Sequence, residues 1–145
     1  MALDAIFAAD LRKINPIELL EATAAEQTDR QNQEEIVGYA KQIVVGVTAE
    51  FAEIDDRIEG LSHKWSVDRM PAVDRAILRV AVWELLYNDE VPDPVAIKEA
   101  VDLAIEYSTE ESGSFVNGLL RAISGTKGEI YLSMTPTCYD FPNIL

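Results

Sequence analysis

The sequence is poor in the residues that most chemistry requires. It holds one cysteine, Cys138, which excludes an intrachain disulfide and a multi-cysteine zinc site. Its one histidine, His63, leaves little material for a metal centre or a histidine-dependent triad. Positive charge is scarce too: 12 Lys and Arg stand against 26 Asp and Glu, a net charge of −14. That sign repels polyphosphate, so nucleic-acid binding requires a local basic patch. No apolar run reaches the roughly 18 residues of a membrane span. No basic stretch precedes an apolar segment at the start, so no signal peptide is expected. GxGxxG, P-loop and GxSxG patterns are lacking as well. These gaps point to a cytoplasmic chain that is not an enzyme and needs neither cofactor nor metal.

What the sequence does have is helical periodicity. Hydrophobic residues make up 48% of the 145, enough for a core. Leu3, Ile6, Phe7 and Leu11 recur at helical spacing. Asn15-Pro16 fits an N-cap followed by proline at the first helical position, and Ile17, Leu19 and Leu20 form that helix's apolar side. A polar loop is expected over 26–33, then a capping box from Asn32 to Glu35. A long helix follows to about Gly60, with a kink expected near Gly46 because Ile43, Val44, Val45, Val47 and Thr48 are branched at the β-carbon. Ser66 is placed to cap a short turn before Met70-Pro71. The most regular helix spans 72–87 and presents Ile77, Leu78, Ala81, Val82, Leu85 and Leu86 on one side. Val91-Pro92-Asp93-Pro94 breaks it and opens another, capped by Asp93 and running to about Tyr107. A Ser/Thr/Glu/Gly turn leads to a last helix from Phe115 to Ile123, stopped at Gly125. No strand alternation competes, so the class is all-α, a helical bundle. The segment 126–145 mixes Gly, Pro, Tyr, Phe and Met without a period and is expected to be an irregular tail.

Two carboxylate pairs, Asp55-Asp56 and Glu110-Glu111, could suggest acid–base chemistry. Neither is flanked by an apolar stretch of the kind that shifts a pKa, so exposed acidic turns are expected.

Three blocks then stand out in order. The first is Val73-Asp74-Arg75-Ala76-Ile77-Leu78-Arg79-Val80-Ala81-Val82-Trp83-Glu84-Leu85-Leu86-Tyr87. The second is Val91-Pro92 with Val95-Ala96-Ile97-Lys98-Glu99-Ala100-Val101-Asp102-Leu103-Ala104. The third is Phe115-Val116-Asn117-Gly118-Leu119-Leu120. Together they resemble the NusB transcription-antitermination family, over about residues 2–124. The resemblance implies two packed three-helix subdomains within 1–125. It implies assembly with NusE, a small-ribosomal-subunit protein, on the boxA RNA of nascent ribosomal transcripts, within the antitermination complex of RNA polymerase. Family members carry an Arg-rich segment just ahead of the stretch matching Ala2–Leu11. The sequence opens at that point, in mid-helix, so a truncated or misassigned start is expected.

The resemblance also nominates residues. Phe115 and Asn117 match the RNA-facing end of the last helix, where aromatics stack on bases and amides read their edges. Core packing for Phe115 and an internal hydrogen bond for Asn117 are the plainer alternatives. Lys98 matches a polar family position; a solvated lysine is its plain reading. Glu111 and Ser112 border the RNA side, with Ser112 also suited to a helix cap. Phe7 and Asp74 match positions facing NusE, though Phe7 equally suits a core. Arg75 and Arg79, at i and i+4, are read as ion-pair residues rather than phosphate contacts. Two other functions remain open at this point. One is a protein-interaction module that has lost RNA binding; the other is a NusB-like domain detached from a ribosomal-RNA methyltransferase.

Overall fold

The computed structural model describes residues 2–26, 33–62 and 66–126. The expectations at Asn32, His63, Cys138 and 127–145 fall outside them. The described residues form seven α-helices and one 3₁₀ turn, with no strand. The helices are α1 (Ala2–Arg12), α2 (Pro16–Glu26), α3 (Gln33–Ala49), α4 (Phe51–Leu61), α5 (Ala72–Tyr87), α6 (Asp93–Tyr107) and α7 (Glu110–Gly125). The first three pack on one another, as do the last three, while α4 lies against α5 and α7. Helix α5 touches both groups and is the spine of the molecule.

Helix α1 carries Asp4 in its first turn and Arg12 in its last, both matched to the helix dipole. It ends at Lys13, whose φ of 57° is left-handed. The Ile14 N–H then donates to the Ala9 carbonyl at 3.2 Å, a Schellman closure made without glycine. A lysine held there costs about 1 kcal/mol of backbone strain. Two residues on, Asn15 Oδ1 accepts from the Ile17 N–H at 2.9 Å and Pro16 opens α2, as the sequence predicts.

The kink expected near Gly46 lies instead at Glu50, whose φ and ψ of −108° and 21° separate α3 from α4. Thr48 Oγ1 donates back to the Val44 carbonyl at 2.7 Å, a local bond that bends helices. Gly46 has a different task. A Cβ there would stand 2.0 Å from Trp83 Nε1, so the glycine lets the Trp83 indole of α5 lie directly on the α3 backbone.

The last helix begins five residues before its expected start. Gly113 sits inside it and is buried, and a Cβ there would come within 2.5 Å of Ile105 Cγ1. A residue type that signals a turn is here a close approach between α6 and α7. The other end of that pair is tied by Ser124 Oγ, which donates to Asp93 Oδ2 at 2.6 Å. The two helices therefore run antiparallel along their length. Helix α6 begins after Pro92 rather than after the expected cap Asp93, a shift of one residue. Ser66 precedes the 3₁₀ turn Val67–Arg69 but makes no side-chain cap bond; Glu59 Oε1 accepts from the Val67 N–H instead.

The core agrees with the predicted stripe on α5. Ile77, Leu78, Ala81, Val82 and Leu85 are buried, together with Ile54 and Ile58 of α4 and Val116, Leu120 and Ile123 of α7. Leu11, expected on the apolar side of α1, is exposed, as are Phe51, Val95 and Ile105. Leu78→Ala should lower the unfolding free energy by roughly 2–5 kcal/mol. Gly46→Ala should lower it by about 1–3 kcal/mol by pushing Trp83 off α3. Urea denaturation followed by far-UV circular dichroism measures both, and an unaltered midpoint for either variant would contradict the packing described.

Candidate nucleic-acid interface

The expected site residues divide into a buried set and a groove set. Asp74 belongs to the first. It was expected to face a protein partner, but its side chain is fully buried, because it occupies the third position of α5 beneath the start of α7. At that position a carboxylate ordinarily accepts from the N–H of the N-cap residue. The N-cap here is Pro71, which has no N–H. Asp74 turns to α7 instead, where its Oδ2 accepts from Ser112 Oγ at 2.8 Å. Its Oδ1 has no hydrogen-bond partner among the described residues. Two helix N-termini, those of α5 and α7, converge on this side chain.

Ser112 is correspondingly not the cap of α7. Thr109 is: its Oγ1 accepts from the Ser112 N–H at 3.0 Å. Ser112 Oγ also stands 3.0 Å from both Ser108 Oγ and Thr109 Oγ1, so two hydroxyls flank the one that reaches Asp74. Glu111 is exposed in the first turn of α7. The pair Glu110-Glu111 thus opens a helix rather than forming a turn. Phe115 is half-buried and packs on the core, as does Phe7 on α1.

Lys98 and Asn117 come together in a groove of about 600 Å³ between α6 and α7. Its walls carry matching i,i+4 pairs. On α6, Lys98 Nζ donates to Asp102 Oδ2 at 2.9 Å. On α7, Arg121 Nε donates to Asn117 Oδ1 at 3.1 Å. Ile97, Val101 and Pro94 supply apolar surface, and Asp93 and Ser124 close one end. The hydrogen bond to Asp102, and that carboxylate's charge, raise the Lys98 pKa further above the ordinary lysine value, so the ammonium stays charged. Arg121 and Asp102 were not singled out from the sequence. Their signal was present in the four-residue spacing to Asn117 and Lys98. Phe115, Glu111 and Ser112 are not among the residues that line this groove.

Arg75 and Arg79 make the ion pairs expected of them. Arg75 Nη2 lies 2.6 Å from Asp10 Oδ2 on α1. Arg79 forks onto Asp55 of α4, with two bonds of 2.9 Å, and stands 3.6 Å from Asp10. Its guanidinium also lies 4.3 Å above the centre of the Phe51 ring. Asp55, expected in an exposed turn, is a helical residue holding a buried arginine.

A model of the NusB family matches residues 1–125 of the chain. The chain belongs to the NusB family. A transcription antitermination protein NusB of Leifsonia xyli subsp. xyli is 49% identical over 126 residues, covering 87% of this chain and 88% of the relative. That of Acidothermus cellulolyticus is 46% identical over 135 residues, covering 93% and 90%. Among solved structures, T. maritima NusB superposes with a TM-score of 0.75 at 35% identity, covering 86% of this chain and 85% of that one. A crystal structure of antitermination factors NusB and NusE in complex with dsRNA gives 0.76 at 33% identity, covering 86% and 91%. The all-helical arrangement expected from the NusB-like blocks is therefore the arrangement found. Among the described residues no helix is long and apolar enough to cross a membrane.

The buried link of the α5 and α7 starts carries a test. Ser112→Ala leaves the Asp74 carboxylate buried with neither oxygen paired. It should cost roughly 1.5–3 kcal/mol of stability, whereas Ser114→Ala, two residues on and exposed, should stay within about 0.5 kcal/mol. Chemical denaturation of both variants measures this, and equal midpoints would show that the link carries no weight.

Proposed function

We propose that this chain is an RNA-binding transcription antitermination factor that assembles with NusE on the boxA RNA of nascent ribosomal transcripts. The observation that carries the proposal is its likeness, at a TM-score of 0.76 and 33% identity, to a NusB that is in complex with NusE and dsRNA. The names of its relatives are those of antitermination proteins, which favours this function over a methyltransferase's targeting domain. The chain acts by assembly rather than by catalysis. One surface holds RNA, another holds the protein, and each raises the affinity for the other.

The RNA surface we assign to the exposed side of α6 and α7: Lys98 and Asn117 in the groove, and Phe115, Glu111 and Ser112 towards the start of α7. Phe115 keeps part of its ring accessible for stacking while the rest anchors it. Ser112 contributes by setting where α7 begins, since its hydroxyl is committed to Asp74. The protein surface we assign to α1 around Phe7, with Asp74 acting from inside, through the placement of α5 and α7. A charge-reversing change at Asp74 would report on folding, so Phe7 is the residue to test.

The net charge of −14 opposes RNA, and the partner's own contacts offset it. Labelled boxA RNA should therefore bind the chain weakly alone and at least about fivefold more tightly with NusE present. Phe7→Ala should weaken capture of NusE and leave the helical content unchanged. Fluorescence anisotropy and pull-down supply the readouts. RNA binding that ignores NusE, or no RNA binding in either case, would reject the function proposed.

A further inference from the structure

We propose that the α6–α7 groove seats an RNA phosphate between Arg121 and Lys98, and that Asp102 masks Lys98 until the RNA arrives. This rests on the RNA-binding function proposed above and adds to it a residue, Arg121, and a means of regulation.

In an acidic body, a cation already neutralised by a carboxylate attracts little phosphate. Lys13, Lys41, Arg57, Arg75, Arg79 and Lys98 each sit within 4 Å of a carboxylate oxygen. Arg121 does not. Its Nε is held by the neutral amide oxygen of Asn117, and its terminal nitrogens carry no hydrogen bond among the described residues. It is exposed on α7 and lines the groove of about 600 Å³. A guanidinium steered by one neutral acceptor, with its outer edge open, suits bidentate contact with phosphate oxygens.

Across the groove Lys98 is the second cation, and it is occupied. Its partner Asp102 is one helical turn away on the same helix, and both side chains are mostly exposed, at 78% and 61%. A surface pair of this kind is weak, so an arriving phosphate exchanges with the carboxylate at little cost. Asp93 also lines the groove, but its Oδ2 accepts from Ser124 Oγ, which holds it at the closed end. The groove at rest therefore contains two cations and two carboxylates, and attracts RNA only to the extent that Asp102 lets go. The lining of Pro94, Ile97 and Val101 offers a sugar or base an apolar surface beside the phosphate.

The experiment uses the full chain with NusE, titrated against labelled boxA RNA in single-stranded and in hairpin-paired form, across a range of salt. Arg121→Gln should weaken binding several-fold and reduce the log–log salt slope by about 0.7, one phosphate contact on a single strand. Asp102→Asn should tighten binding several-fold and steepen the slope, because Lys98 is released. Glu21→Gln is the control. It removes the same charge and frees Lys41, which pairs with Glu21 at 3.6 Å between α2 and α3. It should alter neither affinity nor slope by more than the change in overall charge does. The effects should appear on whichever RNA form the unmodified chain binds more tightly. Arg121→Gln matching the unmodified chain on both forms overturns the groove, as does Asp102→Asn no tighter than Glu21→Gln. In both cases RNA binding by the unmodified chain would still stand. An unmodified chain that leaves both RNA forms unbound with NusE present overturns the RNA-binding function and the groove together.

Discussion

A buried arginine sets the terms for this fold. Arg79 lies on α5 between Leu78 and Val80, and only 5% of it reaches solvent. An isolated charge there is prohibitive, so the helices around it must bring compensation. Helix α1 brings Asp10 and α4 brings Asp55, while Phe51 slides its ring beneath the guanidinium. Arg75, one turn earlier, shares Asp10 and adds bonds to the carbonyls of Val67 and Asp68. Four charged side chains thus fix where α1 and α4 rest on α5. Burial by itself would raise the Asp10 pKa, but the Arg75 hydrogen bond and the charges of Arg75, Arg79 and Lys13 outweigh it and hold the group below the usual 3.8. The carboxylate therefore remains charged in the folded state.

The same spine positions the candidate interface. Asp74 stands one residue before Arg75 and reaches in the other direction, to Ser112 at the start of α7. With Gly113 letting α7 settle on Ile105, and Ser124 holding Asp93 at the far end, α6 and α7 are aligned at both ends. The groove between them is a consequence of that alignment. Charges buried along α5 set the scaffold, and charges exposed on α6 and α7 are left for a ligand.

Periodicity made most of the helices legible, because the apolar stripe of α5 and the Asn15-Pro16 and Pro92–Pro94 starts are local signals. What escaped was decided by contacts distant in sequence. The β-branched run around Gly46 suggests a kink and the Ser/Thr/Glu/Gly run that holds Gly113 suggests a turn, yet each glycine is a place where another helix comes close. Lys13 adopts a glycine-like conformation with nothing in its side chain to announce it. Asp74 was expected at a surface because its family position suggested one; only the proline before α5 and the serine 38 residues later explain its burial. In the candidate site, Lys98 and Asn117 were found through the family blocks. Their partners Asp102 and Arg121 were visible as four-residue spacings, but spacing does not tell which pairs share a groove.

Asp10 compensates the buried arginines of α5. The unfolding free energy of the unmodified chain and of Asp10→Asn, measured by denaturation from neutral to acid pH, tests it most directly. A carboxyl whose folded pKa is depressed stabilises above its unfolded pKa and loses that contribution as pH falls through the folded value. A gap of roughly 1.5–3 kcal/mol is expected at neutral pH, level down to about pH 5 and narrowing below 3.8. No gap at neutral pH, or one that persists undiminished into acid, would contradict it.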